Sequence, residues 1–330
     1  MKDESGEGVK ILSPRHVDGL KEVMKKNKSV MLILSDICTA ECPICYASCS
    51  PRNQNIMNEC LMKASIDQAK ENDLAKCIAF GGGEPFARYK LLKKGLEYAK
   101  EKGCITRVFT NGFWGKWTDS ELMKKIEPLP IDEIIFSADS YHERFVSVPD
   151  LNRAVAVIKK TKISSLDLWI GETKTSEPIH QYFHKVGSFK YFVKAKFYPY
   201  IRVGRATELP FDDFYRLISV EDVQCAANDT IAVRYDGEVF PCAEFVTHDA
   251  AFSLGNLTIS PLSEIIKNHW ELLSLLRETG GLAKLVSMVR DELHGEFPER
   301  YGSGCEICYS ILKDKEVREK VIYWLKKSAL

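Results

Sequence analysis

Hydrophobic positions along this chain come in two alternating forms. Short runs rich in β-branched and aromatic residues fall near Val30 to Leu34, Cys77 to Phe80, Ile105 to Phe109, Glu133 to Phe136, Ser165 to Ile170 and Tyr191 to Phe197. Between them lie longer stretches with helical spacing. Apolar runs with little polar alternation suit strands covered on both faces, and strand–helix alternation is the pattern of a parallel sheet with crossover helices. The fold class read from this is α/β.

The turn leaving each of the six runs holds most of the polar chemistry: four cysteines after the first, "GGGEP" after the second, "TNGFWG" after the third, "SADSYH" after the fourth, "GET" after the fifth and "GRA" after the sixth. In parallel α/β folds this is the face where ligands bind. The alternation stops after about Asp212. There follow a hairpin, "TIAVRYDGEVF", with an Asp-Gly turn, helices near Leu262 to Arg277 and Gly281 to His294, then "GSGCEIC" and a terminal helix. A boundary is expected near residues 207–215.

At 330 residues the chain is long enough to bury a full core without cross-links. Lysine plus arginine balance aspartate plus glutamate at 46 each, so no nucleic acid or anionic membrane partner is indicated. The polar start, "MKDESGEGVK", reads as neither a signal peptide nor a span, and a cytoplasmic location is expected. Eleven cysteines in such a chain are better read as metal ligands than as disulfides.

Two cysteine groups stand out. Cys38, Cys42 and Cys45 are spaced C-x3-C-x2-C, with Cys49 four residues further on. A structural zinc site closes with four ligands, whereas three cysteines can hold three irons of a [4Fe-4S] cluster and leave the fourth open. Cys225, Cys242, Cys305 and Cys308 form a second set, with enough thiolates to saturate either zinc or a complete cluster. Cys60, Cys77 and Cys104 read as small buried apolar residues.

With Ile44 in place of the usual aromatic, the first group resembles the C-x3-C-x-Φ-C signature of the radical S-adenosylmethionine (SAM) enzymes. The resemblance spans about residues 29–206 and implies a partial (β/α)6 TIM-like barrel. It implies a SAM-binding [4Fe-4S] cluster on Cys38, Cys42 and Cys45. SAM contacts are implied from Ile44, from Gly82, Gly83, Glu84 and Pro85, from Asn111, from Ser137 and Asp139, and from Arg205. The second group resembles the SPASM and twitch extensions of these enzymes, which implies an auxiliary [4Fe-4S] cluster in a small C-terminal α+β domain. The organisation expected is an N-terminal extension over 1–28, the barrel over 29–210 and the auxiliary cluster domain over 211–330.

The stretches "NGFWG", "S-x-D-x-YH-x2-FV", "DGEVFPC" and the final C-x2-C are similar to the epipeptide-type peptide epimerases. That resemblance implies a radical SAM enzyme acting on a ribosomally synthesised precursor peptide, with an electron donor such as flavodoxin or ferredoxin. In those epimerases a donor thiol directly follows a cluster cysteine; here "PCAE" puts Ala243 at that position. Either Cys49 is the hydrogen-atom donor, or the reaction is oxidative and ends in a cross-link or thioether. Asp229 matches an acidic position of the epimerases and is the second catalytic candidate. Two other readings are a twitch-type dehydrogenase of a small molecule such as an aminocyclitol, and a zinc-binding interaction protein. Tyr141 and His142 read as channel-lining or structural residues, without a catalytic role.

Overall fold

The computed structural model of the protein describes residues 29–71, 73–187, 194–225, 230–244, 249–277, 280–293 and 298–328. The expected extension over 1–28 and Asp229 lie outside them.

Six parallel strands run in sequence order: β1 (Ser29–Ile33), β2 (Cys77–Gly81), β3 (Ile105–Thr110), β4 (Glu133–Ser137), β5 (Ser165–Glu172) and β6 (Lys194–Pro199). Every residue of β1 and β2 is buried, as expected of central strands covered on both faces. The crossovers carry α1 (Glu59–Glu71), α2 (Tyr89–Glu101), α3 (Asp119–Ile126), α4 (Val148–Ile158) and α5 (Ile179–Lys185). In α2 the buried set Leu92, Gly95, Leu96 and Ala99 is one helical stripe at three- and four-residue spacing. Thr118 and Glu121 form a capping box that starts α3, and Ser147 caps α4 by accepting from Asp150 N.

The C-terminal third does not stand apart from this sheet. After β7 (Ile218–Ser219), strand β8 (Thr230–Arg234) pairs parallel to β1, with Ser29 opposite Thr230 and Ile33 opposite Arg234. Its hairpin partner β9 (Glu238–Phe240) and β10 (Gly255–Asn256) extend the sheet to nine strands, ordered β10-β9-β8-β1-β2-β3-β4-β5-β6. Helices α6 (Leu262–Asn268), α7 (Trp270–Arg277) and α8 (Gly281–Leu293), strand β11 (Arg300–Tyr301), α9 (Gly304–Leu312) and α10 (Lys315–Ser328) complete the chain.

The single helix expected over Leu262 to Arg277 is two, parted at His269. The break serves packing. Leu262, Ile265 and Ile266 join the core between sheet and crossover helices, whereas Leu272, Leu275 and Leu276 join a second core with α8, α9 and α10. A third, small core of Ala40, Cys42, Ile44, Tyr141, Tyr200, Ala206 and Phe214 ties the loop after β1 to the loops after β4 and β6. Among the described residues no helix is long and apolar enough to cross a membrane.

Candidate active site

The loop after β1 carries Cys38, Cys42, Cys45 and Cys49. Its arms are pinned where Cys38 N donates to Ser50 O (3.1 Å), and its tip is a turn in which Cys45 N donates to Cys42 O (3.1 Å). At the base, the Asp36 carboxylate accepts from Asn55 N (3.0 Å) and Asn55 Nδ2 (2.6 Å).

The glycines after β2 hold this loop from one side. Gly83 N donates to Ser35 O (2.7 Å) and Glu84 N to Ile37 O (2.9 Å). A side chain is excluded here: a Cβ on Gly83 would stand 2.1 Å from Ile37 O, and one on Gly82, whose φ is +125°, would stand 2.4 Å from Ser35 O.

The loop roofs a cavity of about 360 Å³ inside the barrel. Cys38, Cys42, Ile44, Cys45 and Cys49 line it, with Gly82, Gly83, Asn111 and Ser137 from the next turns. Ala243, Glu244, Ser303 and Cys305 line it from the C-terminal segments. Between them stand Phe109, Trp169, Tyr198 and Tyr200, whose rings meet edge-on at centroid distances of 5.2 Å (Phe109–Trp169), 6.4 Å (Trp169–Tyr198) and 5.4 Å (Tyr198–Tyr200).

Four residues expected to touch SAM do not line this space. The Glu84 carboxylate is fully buried and accepts from Phe86 N (3.0 Å), Thr110 Oγ1 (2.9 Å) and Asn111 N (2.7 Å), locking the β2 turn to the β3 turn. Burial pushes its carboxyl up to about 7 against the pull of those donors. Pro85 opens the short helical turn that follows and is buried. Asp139 turns into the third core, accepting from Tyr200 Oη (2.5 Å), Tyr141 N (2.9 Å) and His142, whose Nδ1 lies 2.9 Å away. The Arg205 guanidinium donates to Cys42 O (2.7 Å) and Cys49 O (2.8 Å), so it braces the cysteine loop. These motifs shape the site through buried side chains, while their glycines, Asn111 and Ser137 present the surface.

Asn111 does both. Its Nδ2 donates to Thr39 Oγ1 (3.2 Å) and toward Cys38 Sγ (3.7 Å), and Ala40 N also points at Cys38 Sγ (3.4 Å). His142 lines the cavity. Burial alone would lower its pKa, but the Asp139 carboxylate overcomes this and raises it; burial likewise opposes, and His142 and Tyr200 prevail in lowering, that of Asp139.

The structure also assembles the second cysteine set. Cys305 and Cys308 sit three apart in the first turns of α9, while Cys242 follows β9. Cys225, Cys242 and Cys308 pack at the edge of the second core, and Cys305 faces the cavity. The four sulfurs feel one another's charge. Burial raises Cys242 and Cys305 well above the ordinary thiol range and Cys308 to about 12, with Glu244 adding to the effect on Cys305. For these thiols to ionise in such a place, a multivalent cation has to stand among them. In the first set, burial raises Cys38, to about 12, and Cys42, while a hydrogen bond with Cys49 pulls Cys45 down. Among the described residues no three His, Cys, Asp or Glu side chains close around one ion position.

Comparison with known proteins agrees with this donor set. The radical SAM superfamily model matches residues 32–167, and the SPASM iron-sulfur cluster-binding domain model matches 225–283. The chain is a radical SAM enzyme. Its two domains imply SAM and [4Fe-4S] clusters, which sets aside the zinc-binding interaction protein. The enzyme is 27% identical over 300 residues, 88% of its length and 93% of the relative's, to YydG of Bacillus subtilis (strain 168), whose name assigns it to peptide biosynthesis. In fold it is similar to Streptococcus suis SuiB bound to precursor peptide SuiA (TM-score 0.57, 12% identity, 80% of this chain and 72% of that one). It is also similar to anSMEcpe with bound SAM and Cp18Cys peptide (TM-score 0.55, 17% identity, 92% and 99%). The SPASM match ends before Cys305 and Cys308, so the model leaves their part unassigned.

His142 lines the cavity, as one of its two sequence readings had it, whereas sequence reasoning missed the aromatic wall. The one available signal was register: Tyr198 and Tyr200 stand two apart at the end of β6, a spacing that puts both on one face.

Proposed function

We propose that this enzyme removes a hydrogen atom from a residue of a ribosomally synthesised peptide and that the modification is oxidative. The observation that carries this reading is one cavity lined by the first cysteine set, by Cys305 of the second and by an aromatic wall. Cys38, Cys42 and Cys45 are assigned to the cluster that binds SAM, and Cys225, Cys242, Cys305 and Cys308 to the auxiliary cluster. Residues 29–210 and 211–330 are assigned to the two corresponding domains. When bound, SAM and the clusters supply the 5′-deoxyadenosyl radical and a sink for an electron.

The chain's own part is to hold the peptide and exclude water. Phe109, Trp169, Tyr198 and Tyr200 offer an apolar wall, and Ile44, Gly82, Gly83, Asn111 and Ser137 the surface for SAM. A peptide substrate is in keeping with YydG, whose name concerns peptide biosynthesis, and with SuiB and anSMEcpe, whose structures hold peptides. An external electron donor such as flavodoxin or ferredoxin completes the scheme.

Placement of thiols favours the oxidative outcome. Cys49 faces the cavity but is hydrogen-bonded with Cys45, on the side where the radical would arise. Ala243, at the position of the epimerases' donor, lines the same cavity with Glu244 and Ser303 and brings no thiol to it. Inversion needs a hydrogen atom delivered to the opposite face. The second reading, epimerisation with Cys49 as donor, draws on the exposure of that thiol to the cavity. The purified enzyme is incubated in D2O with candidate precursor peptides encoded beside its gene, and the products are read by mass spectrometry. Loss of two hydrogens is expected. Gain of one deuterium per altered residue, abolished in Cys49→Ala, would establish epimerisation instead, and no change in any peptide would count against a peptide substrate.

A further inference from the structure

The segment after β6 grips the cysteine loop through its backbone. Arg205 N donates to Cys45 O (3.0 Å), while the two ends of its guanidinium fork donate to Cys42 O (2.7 Å) and Cys49 O (2.8 Å). Three carbonyls of one loop therefore converge on one residue. Gly204, at φ +61°, lies flat against the same loop: a Cβ there would stand 2.0 Å from Tyr46 O. The Arg205 side chain is 13% exposed, with Glu41 Oε1 4.0 Å away.

The two carbonyls are not equivalent points. Cys42 O also accepts Cys45 N and so begins the tight turn, whereas Cys49 O closes the far arm next to the Ser50 pairing. The fork thus fixes the width of the loop between the arms that present the thiols. We propose that Arg205 is a positioning residue for the SAM-binding cluster, holding the loop at the width that keeps three thiols on three irons and aims the fourth iron into the cavity. This rests on the assignment of Cys38, Cys42 and Cys45 to that cluster. A planar fork is needed: lysine keeps the charge but cannot span two carbonyls. Arg202 supplies the contrast, since its guanidinium donates to Thr207 O (2.6 Å) and Leu209 O (3.2 Å), both within its own segment.

The test compares anaerobically reconstituted wild type, Arg205→Gln, Arg205→Lys, Arg202→Gln and the triple variant Cys38→Ala/Cys42→Ala/Cys45→Ala. The readouts are iron release to a chelator and the change that SAM causes in the electron paramagnetic resonance of the reduced enzyme. In wild type, the iron missing from the triple variant identifies the phase to follow. Two charge-assisted hydrogen bonds are lost, so both Arg205 variants should release that iron on the order of tenfold faster or more. Both should also lose most of the SAM-induced spectral change, with Arg202→Gln like wild type. Wild-type release and an intact SAM response in Arg205→Gln would overturn the proposal, as would rescue by lysine, which would make charge and not the fork the cause. If the triple variant keeps all the iron of wild type, the cluster assignment itself has failed, a result distinct from either.

Discussion

Replacing Gly83 with alanine drives a methyl group into the backbone of the cysteine loop. The new Cβ would stand 2.1 Å from Ile37 O and 2.9 Å from Cys38 N, neither of which belongs to a flexible side chain. The loops must part by roughly 1 Å, which breaks Gly83 N to Ser35 O (2.7 Å) and Glu84 N to Ile37 O (2.9 Å). At about 1 kcal/mol each, the two bonds put the stability loss near 2 kcal/mol. The larger effect is on chemistry, because a misplacement of about 1 Å costs on the order of 10²-fold in rate. Gly187→Ala is the control, since nothing lies within 4 Å of the added carbon. The assay is 5′-deoxyadenosine formation from SAM under reducing conditions, with iron content and thermal unfolding measured on the same samples. Gly83→Ala should retain most of its iron, unfold a few degrees lower and form 5′-deoxyadenosine about a hundred times more slowly. Wild-type turnover in Gly83→Ala would refute the view that the β2 turn seats the cysteine loop by direct backbone contact.

Asn111→Ala removes the Nδ2–H aimed at Cys38 Sγ while leaving the one from Ala40 N. Since a donor to a ligating sulfur stabilises the more negative, reduced cluster, its midpoint potential should fall; a redox titration showing no shift would contradict this. His142→Gln probes the Asp139 pair. The raised His142 contributes stability that is complete below its usual 6.5 and fades as pH rises through its folded value. The lowered Asp139 contributes above 3.8 and loses its part only as pH falls through a still lower value. The difference in unfolding temperature between wild type and variant should therefore be larger at pH 6 than at pH 9, and a gap that widens with pH would reverse the assignment.

The strands of the barrel were legible because β1 and β2 are almost wholly apolar and later strands begin and end at turn residues. The pairing of β1 with β8 was not, because it joins residues some two hundred apart and the hairpin's own pattern fits any sheet. The helix break at His269 was hidden for a related reason: both halves are amphipathic, and only the division between two cores shows that they point to different partners. At the site, the cysteines and the order of the motifs could be read from spacing. The direction of side chains could not. Glu84, Asp139 and Arg205 stand in segments that face SAM in the family, yet each turns its polar group inward, onto N–H groups, a tyrosine and histidine, or loop carbonyls. The aromatic wall was hidden because its rings come from three strands that meet only in the folded sheet.

The claim that this enzyme works with two clusters, one on each cysteine set, is tested most directly by iron and sulfide content after anaerobic reconstitution. Wild type is measured beside Cys38→Ala/Cys42→Ala/Cys45→Ala and Cys225→Ala/Cys242→Ala, with 5′-deoxyadenosine formation alongside. Wild type should hold about eight irons per chain, falling to about four in either variant, with 5′-deoxyadenosine abolished only by loss of the first set. Iron that stays at the wild-type level in either variant, or zinc in its place, would contradict it.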